Sequence, residues 1–93
     1  MAKVLPLKLR VFEYLTQVDH PVTSQNVYDA LKDEYKGERQ MKYSRIDEYM
    51  QALLGVNMVK ESGLEYDKKG VLQVYYKVSD FGKSRIKYIP KVN

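Results

Sequence analysis

Cysteine and tryptophan are absent from this 93-residue chain, and histidine occurs once. Without cysteine there are no disulfides, no thiolate metal sites and no cysteine nucleophile. The single histidine, His20, stands between Asp19 and Pro21 in a turn-like stretch, where a structural role is expected. Asp33 and Glu34 are adjacent, so a helix would point them to different faces. No glycine-rich phosphate loop, metal-ligand spacing or nucleophile–base pair is visible. An enzyme is therefore not expected, and no metal or cofactor is implied. No apolar run approaches the roughly 18 residues needed to span a bilayer. Met1–Pro6 carries one lysine and is not followed by a long apolar stretch, so it does not read as a signal peptide. By elimination the expected location is the cytoplasm, with no membrane partner.

What remains is ordinary globular material, 44% hydrophobic and 30% charged. The length suits one domain over residues 1–93, with little room for a second core. The net charge of +4 is unevenly spread. Residues 1–10 net +3, 11–34 net −4, 35–45 net +3, 46–67 net −4 and 68–93 net +6. Separated basic blocks suit contact with a polyanion. The alternative is that they only keep a small domain in solution.

Helical periodicity marks the first three elements. Pro6 suits the first turn of a helix. From there Leu7, Val11, Tyr14, Leu15 and Val18 form one stripe. Leu9 and Phe12 lie off it, which hints at a dimer surface unless Phe12 simply widens the core face. The residue before Pro21 disfavours helix, ending the element. Thr23 then caps a second helix, with Val27, Ala30, Leu31 and Tyr35 as its stripe and Val22 as a staple to Val27. At the start of this helix Ser24 and Gln25 either donate to a backbone phosphate or serve plain capping. After the polar loop Lys36–Gln40, Ser44 is expected to cap a third helix. Ile46, Tyr49, Met50, Leu53 and Leu54 form its inner face, and Gly55 is its expected C-cap.

A hairpin follows. Leu72, Val74, Tyr76 and Val78 alternate in one strand. Asp67-Lys68-Lys69-Gly70 supplies the turn, with Gly70 free to take a positive φ. Gly63 obscures the register of the preceding strand. Helix, helix, helix, hairpin and a short final helix make the α+β layout of a winged helix-turn-helix domain, which mostly reads duplex DNA. Its recognition helix would be the third. Lys42 and Tyr43 lead in, and Ser44, Arg45 and Gln51 stand on or beside its outer face. Arginine can pair with guanine and glutamine with adenine. Asp47 and Glu48 would repel phosphate, so contact should concentrate at the helix start. Lys68 and Lys69 at the hairpin tip suit phosphate or the minor groove. The competing readings are a solvated face and a winged helix used for protein–protein contact.

Two stretches carry a resemblance. Gly55-Val56-Asn57-Met58-Val59-Lys60 resembles the exit from the recognition helix in PadR- and MarR-like winged-helix regulators. Tyr76-Lys77-Val78-Ser79-Asp80-Phe81-Gly82-Lys83 resembles their segment in which a Ser or Thr caps the C-terminal helix. The likeness spans residues 5–89. It implies a homodimer on palindromic double-stranded DNA, usually as a repressor, and allows a further protein partner. The C-terminal helix would carry the dimer contacts through Phe81, Ile86 and Ile89. It can run only from about Ser79 to Ile89 before Pro90 stops it, so the first helix, with Leu9 and Phe12, would contribute. The size, the absence of cysteine, the nine tyrosines and the lysine-rich tail are also similar to minimal winged-helix proteins of archaeal plasmids and viruses, among them the PadR-like AspA-type site-binding components of plasmid partition systems, which are of similar length.

Overall fold

The computed structural model describes residues 5–85. Along the chain come α1 (Leu7–Gln17), α2 (Ser24–Leu31), α3 (Tyr43–Gly55), β1 (Val59–Tyr66), β2 (Leu72–Val78) and α4 (Asp80–Arg85). This is the α+β winged-helix architecture. Three helices enclose the core, and an antiparallel hairpin leaves it as a wing.

The first helix buries Leu7, Val11, Phe12 and Leu15, one apolar stripe at helical spacing. Phe12 is only 3% exposed and belongs to the chain's own core, so it widens the inner face of α1 and offers no surface to a partner. Leu9 is half-buried. Val22, Val27, Leu31, Ile46, Met50 and Leu53 complete the centre, and Val59, Tyr76 and Val78 close it from the wing side. Ala30, placed on the inner stripe by periodicity, is exposed, and α2 gives way to turns after Leu31. Tyr35 lies beyond that point, half-buried, and its hydroxyl donates to the Leu5 carbonyl.

Two helix ends differ from expectation. The N-cap of α3 is Lys42, which makes no side-chain cap, and Ser44 sits inside the first turn. At the other end Gly55 is the last helical residue. The left-handed residue is Asn57, with φ 63°. Asparagine tolerates that conformation. The turn returns the chain early enough for Met58 N–H to reach Leu53 O at 2.9 Å. By contrast Thr23 caps α2 as expected, in a reciprocal pair of bonds with Asn26.

Val22 forms a two-bond antiparallel bridge with Tyr76, which ties the α1–α2 turn to β2. The wing register pairs Val59 with Val78, Glu61 with Tyr76, Gly63 with Tyr75, Leu64 with Val74 and Tyr66 with Leu72, with one bulge between Glu61 and Gly63. Gly70 closes the wing turn at φ 79°, where a Cβ would be strained. Ser79 Oγ caps α4 by accepting from Gly82 N–H at 2.9 Å, and it donates to the Asn57 carbonyl.

Candidate nucleic-acid interface

The first turn of α3 projects beside the wing. Lys42, Tyr43 and Ser44 are exposed, and Arg45 is partly so. They stand out because Ile46, Met50 and Leu53 anchor the opposite face of the helix in the core. Arg45 Nη1 is held by Glu48 Oε2 at 2.9 Å, one helical turn on. It must leave that exposed partner to reach a base, at a cost of only about 0.3–0.5 kcal/mol.

Ser24 is the first residue of α2, yet it is only 3% exposed. Its hydroxyl donates to Asp47 Oδ1 at 2.8 Å, joining α2 to α3. Gln25 is exposed and donates to Asp29 Oδ1 at 3.0 Å along its own helix. Gln51 Nε2 donates to the Tyr76 hydroxyl at 2.9 Å, joining α3 to the wing. Burial pushes the Tyr76 hydroxyl pKa up, and Asp47 adds to the shift, so the phenol stays protonated. Tyr43 shifts the same way, through burial first and Asp47 second. Ser24, Tyr43, Asp47, Gln51 and Tyr76 thus line one polar cleft between helix and wing. Asp47 and Tyr76 were not singled out from sequence as members of this cleft. Their roles depend on partners 23 and 25 residues distant, which periodicity does not reveal.

Lys68 and Lys69 are exposed at the wing tip. Asp67 organises the turn beneath them. Its carboxylate accepts from Lys69 N–H at 2.8 Å, from Val71 N–H at 2.9 Å and from Gln73 Nε2 at 3.2 Å. These bonds hold its pKa below the usual carboxylate value, the Val71 amide contributing most. The acidic Asp67 therefore bonds to its own turn, while both lysines project outward.

Phe81 is 49% exposed on α4, with the Arg85 guanidinium 5.3 Å from its ring centre. Ile86 and Ile89, expected beside it, lie outside the described residues. His20 is exposed and its Nδ1 lies 3.1 Å from the Pro21 carbonyl, a local turn contact. Among the described residues no cluster of His, Asp or Glu is arranged to hold a metal. None of the described helices is long and apolar enough to cross a membrane. A cleft of about 670 Å³ opens between the start of α1 and the α2–α3 loop, and it shares no lining residue with the polar cleft between α3 and the wing.

Neither a protein-family model nor a curated protein sequence matches the chain significantly. Solved structures do. A PadR-like transcriptional regulator from Bacillus cereus superposes with a TM-score of 0.65 at 15% identity, over 88% of this chain and 75% of that one. A putative transcriptional regulator from Thermoplasma acidophilum gives 0.66 at 15%, over 88% and 74%. A Streptococcus transcriptional regulator gives 0.62 at 13%, over 88% and 75%. At such identities the likeness establishes a shared fold.

Proposed function

We propose that this chain, as one winged-helix domain, binds double-stranded DNA sequence-specifically as a homodimer. The start of α3 enters the major groove, and the wing tip lies on flanking backbone or minor groove. The observation that carries this reading is the exposed first turn of α3, with Lys42, Tyr43, Ser44 and Arg45, beside a hairpin tipped by Lys68 and Lys69. Two basic elements separated by a short cleft suit a duplex, whose phosphates flank each groove. The biological role is that of a cytoplasmic repressor or of a plasmid partition-site binder. The three structural neighbours are transcriptional regulators, which favours the first of these.

Binding to cognate and scrambled duplexes across a salt series tests the reading. Arg45→Ala should cost specific binding about 1–3 kcal/mol and relax preference at one base pair. Lys68→Ala with Lys69→Ala should weaken all duplexes alike and reduce the salt slope by about one to two. If neither variant changes binding, a protein–protein role, for which α2 and its following turn offer the exposed acids Asp29, Asp33 and Glu34, takes precedence. Footprinting at rising protein concentration separates the two roles. A fixed symmetric footprint indicates a repressor, and protection spreading from a palindrome indicates a partition protein.

A further inference from the structure

The bulge between Glu61 and Gly63 decides which side chains the outer wing turns toward the cleft. Side chains alternate across a strand, and directly paired residues share a face. Val78, Tyr76, Val74 and Leu72 therefore lie on one face of β2, the face that is buried at Tyr76 and Val78. On β1, unbroken alternation from the buried Val59 would put Gly63 and Glu65 on that same face. The extra residue at the bulge reverses the pattern. Leu64 then stands opposite Val74 and Tyr66 opposite Leu72, while Glu65 moves to the far face opposite Gln73. There it accepts from the Tyr75 hydroxyl at 3.1 Å.

The inner face of the wing is thus apolar beyond the point where the protein core ends. Leu64 is 63% exposed, Tyr66 69% and Leu72 45%. Down the same face it continues through Leu72 and Val74 into the cleft beside Tyr43, at the start of α3. Lys68 and Lys69 flank its outer end. The exposed Glu61, opposite Tyr76, shares this face at its inner end, so the cationic side is the outer end alone. A surface that is apolar in the middle and cationic at its outer end fits an occupant with apolar walls and an anionic edge. A second copy's wing presents the same two lysines, which repel. A duplex groove, walled by deoxyribose and bordered by phosphate, fits.

We propose that Leu64, Tyr66 and Leu72 form an apolar contact strip that packs on the deoxyribose walls of the minor groove, next to the major groove entered by α3. The inference rests on the DNA-binding reading above and deepens it. The wing contributes in two separable ways: Lys68 and Lys69 through released counterions, the strip through burial of apolar surface, which is insensitive to salt. Minor-groove proteins do place apolar side chains in the groove, often as wedges between base steps; here the strip lies along the groove wall instead.

The test is fluorescence-anisotropy binding across a salt series for the wild type, Leu64→Ser with Tyr66→Ser, each single change, Tyr66→Phe, and Lys68→Ala with Lys69→Ala. All substituted residues are exposed, and unchanged unfolding midpoints verify folding. The double serine variant should lose affinity on the order of tenfold at every salt concentration with an unaltered slope. Tyr66→Phe should bind as wild type, and the lysine variant should flatten the slope. A minor-groove ligand such as netropsin should compete with the wild type more strongly than with the double serine variant. The proposal is overturned if that variant binds duplexes as tightly as wild type. A simultaneous fall in its sedimentation mass would show that the strip joins copies of the chain. Loss of affinity in Tyr66→Phe equal to that in Tyr66→Ser would overturn the apolar assignment in favour of a hydroxyl hydrogen bond. A wild type that binds no duplex at any salt would remove the DNA-binding reading itself, an outcome distinct from equal binding by wild type and variant.

Discussion

Gly82 is a residue whose lack of a side chain has a direct structural cause. It is buried in α4, and a Cβ there would collide with the Met58 carbonyl oxygen and come within 2.8 Å of Val78 Cγ2. The first of these is backbone and cannot swing aside. Gly82→Ala should therefore destabilise the fold by about 1–3 kcal/mol, read from urea unfolding, or detach α4 from the β-hairpin. A variant as stable as wild type would mean that α4 shifts freely. The same glycine lies in the Ser79–Lys83 stretch whose capping serine was legible in sequence. The reason for the glycine was not legible, since Met58 approaches from across a turn and two strands.

At the scale of elements, side-chain bonds fix how α2, α3 and the wing sit together. Ser24 to Asp47 and Gln51 to Tyr76 span the cleft. Removing the hydroxyl in Ser24→Ala leaves a half-buried carboxylate short of a donor, which should cost about 1–2 kcal/mol in thermal or urea unfolding. If stability is unchanged and only DNA affinity falls, Ser24 acts as a phosphate donor instead. The wing turn makes a pH prediction. Asp67 binds its proton more weakly in the folded turn than in the unfolded chain, because three donors favour its charged form. Its support is complete above the ordinary value of 3.8 and is lost as pH falls through the lower folded value. The Lys69 and Val71 amide resonances should follow that titration in NMR spectra. In Asp67→Ala they should show no such step.

For the whole molecule, the charge map and the folded surface point the same way. The basic 35–45 block ends at the first turn of α3, and Lys68 and Lys69 from the 68–93 block cap the wing. The acidic 11–34 block includes Asp29, Asp33 and Glu34 of α2 and the turn after it. Glu34 also receives the Arg10 guanidinium through two bonds, at 3.0 and 3.1 Å, binding α1 to the end of α2. A homodimer is the quaternary prediction, with Phe81 and the half-buried Leu9 as its described candidate contacts. Sedimentation at micromolar concentration should give about twice the 10.9 kDa chain mass. A monomer that still binds a palindrome tightly would overturn it.

The sequence alone determined what depends on neighbours a few residues apart. Helical periodicity set the cores of α1, α2 and α3. The reciprocal cap of Thr23 with Asn26 and the Asp67–Gly70 turn are local bonds, so local residue types encode them. The order of elements, and with it the winged-helix fold and the basic start of α3, followed from those pieces. Tertiary structure decided what depends on distant partners. It buried Phe12, because α1 packs against α3 and the wing strand β2. It placed the left-handed residue at Asn57 rather than at Gly55, as the chain returns from α3 into the wing. It engaged Ser24 and Gln51 in bonds between elements. It also set the bulge near Gly63, and so the face on which Leu64 and Tyr66 stand, because strand register is fixed by the whole pairing between β1 and β2 and not by either strand alone.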